Sequence, residues 1–121
     1  MTAERIRLVI FQDAPSAWVV HGLEHDILAQ GRTIGSALRA AVRFIEVQTL
    51  YDLRHGHRPL STFGVSPQRY WNAYMAGTPI PLAQLGIATP PTWEVQAAFG
   101  TSMSGRNAVS SPMTGRNAQT L

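Results

Sequence analysis

One short segment near the N-terminus concentrates side chains that could do chemistry. Residues 21–31 read HGLEHDILAQG, so two histidines, a glutamate and an aspartate fall between positions 21 and 26. Imidazole and carboxylate groups are common zinc ligands and common general acids and bases. The segment therefore raises three hypotheses: a metal site, a catalytic pair, or a polar turn that contacts a partner.

The spacing of these residues favours the polar turn. His21 and His25 would share one face of a helix, but Gly22 and the strand-like runs on either side indicate a turn between strands. In an extended strand the two rings would lie about 13 Å apart, too far for one ion unless the chain folds back. A metal site of His21, His25 and Asp26, with Glu24 nearby, is the minority hypothesis. We expect an exposed turn and predict no cofactor.

Other kinds of catalytic site have little support. The chain contains no cysteine, which excludes disulfides, cysteine-based zinc sites and thiol catalysis. Ser16, Ser61 and Ser66 lack the context of a nucleophile elbow, and no glycine-rich phosphate loop is present. We therefore predict that the protein is not an enzyme.

Length and composition predict one domain with a tail. The chain has 121 residues, of which 45% are hydrophobic and 14% charged. This length is sufficient for one ordinary core and short for two. We expect a single domain over residues 1–99, with its core between 5 and 55, and a flexible tail over 100–121. The tail carries a repeat, MSGRNA at 103–108 and MTGRNA at 113–118.

All ten basic residues are arginines, and the formal net charge is +3. Arginine suits planar contacts with carboxylates and phosphates, which mildly favours an anionic partner. The candidate nucleic-acid contacts are Arg39 and Arg43 on a predicted helix with Arg106 and Arg116 in the tail; a solvated helix face is the alternative. No apolar run is long enough to span a membrane, and the N-terminus does not resemble a signal peptide, so we expect a cytoplasmic protein.

Hydrophobic periodicity predicts three strands and then a long helix. Residues 5–12, 17–21 and 27–31 have strand-like patterns, with a hairpin turn over 13–16. Thr33 is a suitable N-cap for a helix over 34–54, although Ser36 stands where a glutamate would complete a capping box. Asp52 falls outside the apolar face of this helix. That face is predicted to consist of Ile34, Leu38, Ala41, Val42, Ile45, Thr49 and Leu53.

The second half of the chain has weaker patterns. Ser66 and Pro67 predict the start of a short helix over 66–77, with Ser66 as its N-cap. We expect the aromatic side of this helix to pack on the domain. The proline-rich stretch over 78–91 is expected to run along the surface, and 92–99 predicts a fourth strand. The side chains on the aromatic side are Tyr70, Trp71, Tyr74 and Met75.

The order of motifs over about residues 5–50 permits comparison with a known family. The relevant residues are Trp18-Val19-Val20, Leu23, Ala29-Gln30-Gly31-Arg32-Thr33-Ile34, Ala37-Leu38 and Ala41. This order resembles the HicB-like antitoxin domain. The resemblance implies an α+β fold in which a three-stranded antiparallel sheet is covered by one long amphipathic helix, the β-β-β-α arrangement of a partial ribonuclease-H-like fold.

The resemblance also implies a function. HicB-type antitoxins bind and neutralise a small mRNA-cleaving toxin of the HicA type, and they are usually dimers or higher oligomers. This sequence departs from the family in two ways: residues 57–121 contain no clear DNA-binding motif, and Glu24, His25 and Asp26 replace the usual proline and glycine of the loop between the second and third predicted strands. We expect this loop, with Arg39 and Arg43, to bind a toxin or another small protein. The alternative is an orphan metal-binding or nucleic-acid-binding module of the same fold.

Overall fold

The computed structural model describes residues 4–100, which form five strands and two α-helices. The prediction of a flexible tail, with its repeat and its arginines, falls almost entirely outside these residues. Neither α-helix is long and apolar enough to cross a membrane. In chain order the elements are β1 (Glu4–Ala14), β2 (Ala17–Gly22), β3 (Leu28–Gly31), α1 (Ile34–Arg54), α2 (Gln68–Met75), β4 (Thr78–Ile80) and β5 (Trp93–Phe99).

The strands form one mixed sheet in the order β3-β2-β1-β5-β4. Strand β1 pairs antiparallel with β2 and parallel with β5, and the outer strands β3 and β4 pair antiparallel with their neighbours. The α+β class is confirmed, and so is a fourth strand near 92–99. The predicted three-stranded sheet was too small, because β5 extends it beyond β1 and β4 adds a further edge.

Strand β4 was not predicted because its segment is rich in proline. Proline has no backbone N–H to donate, which makes it unsuitable for a central strand but acceptable at an edge. Pro79 lies in β4, which has the sheet on one side only. The segment also does not simply follow the surface, since Ile80, Leu82 and Ile87 are buried in the main core.

Alternate side chains of β1 enter two separate cores. One core lies between the sheet and α1 and includes Ile6, Leu8 and Ile10, all fully buried. The other lies on the opposite face, where Val9 packs with Leu23 against α2. A strand that is buried on both faces reads as a continuous apolar run, and LVI at residues 8–10 is such a run.

Helix α1 begins and ends where its periodicity predicted, but its N-terminus differs from expectation. A complete capping box is present: Ser36 N donates to Thr33 Oγ1 at 3.0 Å, and Thr33 N donates to Ser36 Oγ at 3.0 Å. A serine hydroxyl therefore replaces the usual glutamate. The turn into the helix is also tight, because a Cβ at Gly31 would lie 2.4 Å from Ala37 N.

In the last turn of α1, two residues take the opposite burial from the one that the helical periodicity predicted. Leu53, predicted to face the core, is 57% exposed, and Asp52, predicted to face away, is 1% exposed. The Asp52 carboxylate accepts hydrogen bonds from Leu60 N at 2.7 Å and from Gln48 Nε2 at 3.0 Å. Leu60 follows the helix in the chain, so periodicity within α1 could not indicate that a polar residue would be needed there.

Helix α2 uses its aromatic side as predicted but is not capped as predicted. Tyr70, Trp71 and Tyr74 pack on the second core, whereas Met75 is 74% exposed. The N-cap position is Pro67, without a side-chain hydrogen bond to the helix. The expected cap, Ser66, instead donates its hydroxyl proton to the β2–β3 connection.

The capping box gives a first prediction. Thr33→Ala removes the acceptor for Ser36 N, so the free energy of unfolding should fall by about 1 kcal/mol. Thr62→Ala, in the exposed linker after α1, makes the same chemical change and should stay within about 0.5 kcal/mol of the parent. Urea denaturation followed by circular dichroism measures both. Equal effects for the two variants would show that the box contributes nothing.

Candidate functional site

The connection between β2 and β3, residues 23–27, is a turn that folds back on itself, and it is called the β2–β3 turn below. Gly22 N donates to Ile27 O at 3.0 Å, and Ile27 N donates to His25 O at 2.7 Å. A Cβ at Gly22 would lie 2.4 Å from His25 O, so the close approach requires glycine. The turn predicted from the sequence is therefore present, and its side chains determine what it can do.

Glu24 links the β2–β3 turn to β1, the central strand of the sheet. Its carboxylate accepts a hydrogen bond from Arg7 N at 2.7 Å and another from Arg7 Nε at 2.6 Å. The Arg7 guanidinium lies 4.9 Å from the ring centroid of Trp71 on α2. Both charged side chains are largely covered, at 25% and 22% exposure. Glu24 is thus not the exposed residue that the sequence predicted.

Asp26 joins the turn to the linker between the helices. Its Oδ1 lies 2.7 Å from Ser66 Oγ, and its backbone N donates to Gly64 O at 2.7 Å. The Ser66 hydroxyl has a second acceptor, Gly22 O, at 2.5 Å. The Asp26 side chain nevertheless stays 43% exposed, so it can contact a partner as predicted.

His21 forms part of an aromatic stack on the α2 side of the sheet. Its ring lies 4.1 Å from that of Tyr70 and 5.8 Å from that of Phe11, with interplanar angles of 19° and 8°. Its Nδ1 is buried without a hydrogen bond, 3.7 Å from Asp26 Oδ1. Burial lowers the pKa of His21 below its ordinary value of 6.5; the Asp26 carboxylate opposes this shift and Arg69 adds to it.

His25 contacts the other side of the sheet. Its ring meets that of Trp93 edge-on, with centroids 5.7 Å apart. Trp93 belongs to the core under α1, where its Nε1 donates to Thr49 Oγ1 at 2.9 Å. His25 is half-buried, and its Nδ1 has no hydrogen-bond partner. The expectation that the histidines lie in an exposed turn was therefore wrong.

The proposed metal ligands are not brought together. Within residues 4–100 there is no cluster of three or more histidine or acidic residues that could hold a metal ion. His21 and Asp26 are neighbours, but His25 points to Trp93 instead. The fold-back that a metal site needed does occur, and it places the two imidazole rings against different cores.

Ser66, Asp26 and His21 are the residue types of a serine hydrolase triad, but they contact one another in a different order. In such a triad, histidine lies between serine and aspartate, so that it can take the serine proton. Here Asp26 Oδ1 lies between Ser66 Oγ at 2.7 Å and His21 Nδ1 at 3.7 Å. Ser66 is 5% exposed and donates to the chain itself. These contacts hold the turn and the linker together.

The two arginines of the predicted partner-binding set lie elsewhere. Arg39 and Arg43 are exposed on α1, where Arg39 Nη2 is 3.4 Å from Leu85 O. The contact between Thr49 and Trp93 places the β2–β3 turn near the C-terminal half of α1. Arg39 precedes Thr49 by ten residues, which is about 15 Å along a helix. Glu24, His25, Asp26, Arg39 and Arg43 therefore do not form one continuous patch.

Sequence reasoning missed Arg7, Tyr70 and Trp93 as parts of this site. Of these, only Arg7 could have been recognised from the sequence, because a charged residue directly before the buried run at 8–10 requires a partner. The contact between Asp26 and Ser66 spans forty positions of the chain and has no local pattern.

Comparisons with protein-family models, with curated proteins and with solved structures gave no match to this chain. The residues and contacts described above are therefore the basis for proposing a function.

The ion pair of the β2–β3 turn gives a second prediction. Glu24→Ala leaves the Arg7 N–H and guanidinium without their acceptor, so the free energy of unfolding should fall by about 1–3 kcal/mol. Glu94→Ala is the matched control, since Glu94 lies 3.8 Å from Arg5 and both side chains are about half exposed. Its effect should stay within about 0.5 kcal/mol. Urea denaturation would contradict the assignment if both variants lost equal stability.

The burial of His21 gives a third prediction, on pH dependence. Because its pKa is lowered in the folded protein, the unfolded chain binds more protons just below pH 6.5, its ordinary pKa. The stabilisation is complete above that pH and is lost as the pH falls towards the folded pKa. His21→Phe keeps an aromatic ring in the stack and removes the titration.

Relative to His21→Phe, the parent protein should therefore lose stability as the pH is lowered below about 6.5. Thermal unfolding of the parent and of His21→Phe at a series of pH values measures this difference. A constant difference for His21→Phe would show that the buried imidazole does not titrate differently on folding.

Proposed function

We propose that this chain is a non-catalytic interaction protein that resembles a HicB-type antitoxin and neutralises a small HicA-type mRNA-cleaving toxin. The observation that carries the proposal is the order of elements at the N-terminus. Three antiparallel strands, β1, β2 and β3, are followed directly by a long helix that covers them. This is the arrangement that the motif resemblance implies.

The residues that carry the resemblance also have definite structural roles. Gly31 permits the close turn out of β3, and Thr33 caps α1. Ala37 and Ala41 are fully buried, and their small side chains allow α1 to approach the sheet. Trp18 packs edge-on against Phe99 of β5, with ring centroids 6.3 Å apart. The motif thus consists of positions that this fold needs, which supports its use as a guide to the family.

The contacts of the titratable groups support an interaction role over catalysis. Glu24 is held by Arg7, Ser66 donates towards Gly22 O and Asp26, and the His21 ring stacks with those of Tyr70 and Phe11. Such groups stabilise one conformation of the β2–β3 turn. Asp26, together with Arg39 and Arg43, remains exposed and can form charged contacts with a protein partner.

Co-expression tests this proposal and is the fourth prediction. The product of a small open reading frame adjacent to the gene should arrest growth when expressed alone, and this chain should relieve the arrest and co-purify with that product. Growth without arrest, or failure to co-purify, would contradict the antitoxin function. Zinc binding by calorimetry, or RNA binding that weakens steeply with salt, would instead support the orphan metal-binding or nucleic-acid-binding module.

Charge variants locate the contact surface in the same assay. Arg39→Glu reverses a charge on α1, and Asp26→Asn removes a charge while keeping an acceptor for Ser66. Each should weaken the complex by about tenfold or more, as loss of a charged interface contact does. Arg58→Glu is the control, because Arg58 is 82% exposed in the linker and its contact with Glu4, which is 46% exposed, is a long surface ion pair of 3.8 Å. Equal weakening by all three would indicate a non-specific charge effect.

A further inference from the structure

Strand β5 has an open edge along part of its length. On one side it pairs with β1 over all seven of its residues, from Trp93 to Phe99. On the other side β4 pairs only with Ala97, Ala98 and Phe99. Within the part of the chain that the structure describes, residues 93–96 therefore have no neighbouring strand on this side of the sheet.

The backbone groups of Val95 point towards this open edge. Gly100 N donates to Ile10 O of β1 at 2.8 Å, and the register between β1 and β5 has no shift. The backbone groups of residues 94, 96 and 98 therefore also face β1, and those of Val95 face the other way, because these directions alternate along a strand. Among residues 4–100, no backbone group pairs with Val95 at this edge.

The edge is open because β4 turns away after Ile80. Leu82 begins a short 3₁₀ turn, and it is buried together with Ile87 in the main core. The burial of these two side chains holds the connection between β4 and β5 away from the edge. If β4 continued straight, position 82 would lie opposite Val95, two residues beyond the pairing of Ile80 with Ala97.

The space that β4 leaves beside β5 is a cleft of about 590 Å³. This volume falls within the range of ligand-binding sites. None of the residues that line the cleft carries a charge, and one of them, Val95, offers an unpaired N–H and C=O. The lining side chains include Tyr74, Pro79, Ile87, Thr89 and Gln96.

We propose that this cleft binds an uncharged, extended segment of another protein, which continues the line of β4 and pairs with Val95. A peptide backbone in strand conformation supplies both the acceptor and the donor that Val95 lacks, and strand addition at an open edge is a recurring mode of peptide recognition.

The walls of the cleft also define the side chains of the bound segment. A residue opposite Val95 directs its side chain to the same face of the sheet, where Val95 and Ile87 pack on the main core, so an aliphatic side chain fits there. The uncharged lining is complementary to an uncharged segment. A nucleic acid is disfavoured, because no arginine lines the cleft to neutralise a phosphate.

The cleft is separate from the surface on which the proposed function depends. Strand β4 is the last strand at one edge of the sheet, and β3, which follows the β2–β3 turn, is the last at the other. The inference therefore goes beyond the proposed function and does not rest on it. A chain that fails to neutralise a toxin can still bind a peptide in the cleft.

Hydrogen exchange measured by NMR on the full-length, ¹⁵N-labelled chain tests the inference and is the fifth prediction. The probe is the capped peptide acetyl-Thr-Val-Thr-Val-Thr-amide, which is neutral and rich in β-branched residues. Without peptide, the Val95 amide should exchange rapidly. At about 1 mM peptide its exchange should slow by about tenfold, which corresponds to a Kd of about 0.1 mM.

Two tryptophan variants show whether the peptide binds in the cleft. Thr89→Trp places a large side chain in the cleft from an exposed position and should weaken peptide binding by about tenfold or more. Thr62→Trp makes the same change in the exposed linker after α1 and should leave the affinity unchanged. Circular dichroism confirms that both variants are folded.

Four results would overturn the inference. The first is an unchanged Val95 amide at about 1 mM peptide, and the second is equal weakening by both tryptophan variants. The third is protection by peptide at the edge of β3 instead of at Val95. The fourth is a Val95 amide already protected without peptide, which would show that the chain fills its own cleft. The occupant is then its tail if the protection is independent of protein concentration, and a second copy if the protection rises with it.

Discussion

Strand β1 is paired on both edges and packed on both faces, and the rest of the structure is arranged around it. Ile6, Leu8 and Ile10 enter the core under α1, while Val9 enters the core under α2. The antiparallel neighbour β2 comes from the next part of the chain, whereas the parallel neighbour β5 returns after two helices. A parallel neighbour requires a crossover connection, so α1 and the linker are part of what places β5 beside β1.

Burial of β1 also determines the role of the β2–β3 turn. Arg7 lies on the α2 face of this strand, where a guanidinium and an unpaired backbone N–H would both be costly without an acceptor. Glu24 supplies the acceptor for both groups. Asp26 and Ser66 then hold the turn to the linker, and Trp71 covers the guanidinium. This cluster has the residue types of a reactive site, but its side chains join the two cores. Of its two acidic residues, Asp26 is the one that remains exposed to a partner.

Local patterns allowed part of this structure to be predicted. The bounds of α1 and the three N-terminal strands followed from periodicity and from capping chemistry, which depend on residues close together in the chain. Asp52, Ser66 and β4 could not be predicted in this way, because their environments are created by residues far along the sequence. The candidate site shows the same division: the turn was predicted, but the contacts of Glu24 with Arg7 and of His25 with Trp93 were not.

Helix α1 illustrates why the buried and exposed sides of one element need separate explanations. The residues on its buried side pack against the sheet. Even the polar Thr49 fits there, because its hydroxyl accepts a hydrogen bond from Trp93 Nε1. Its outer side is apolar between Val47 and Leu53, and a solvated helix face is normally polar. The exchange of roles between Asp52 and Leu53 sharpens the contrast, since the carboxylate is turned inward to hold Leu60 while the leucine is turned outward. A helix that places a carboxylate inside and a leucine outside in consecutive positions therefore has an outer surface whose composition the contacts with the sheet do not explain.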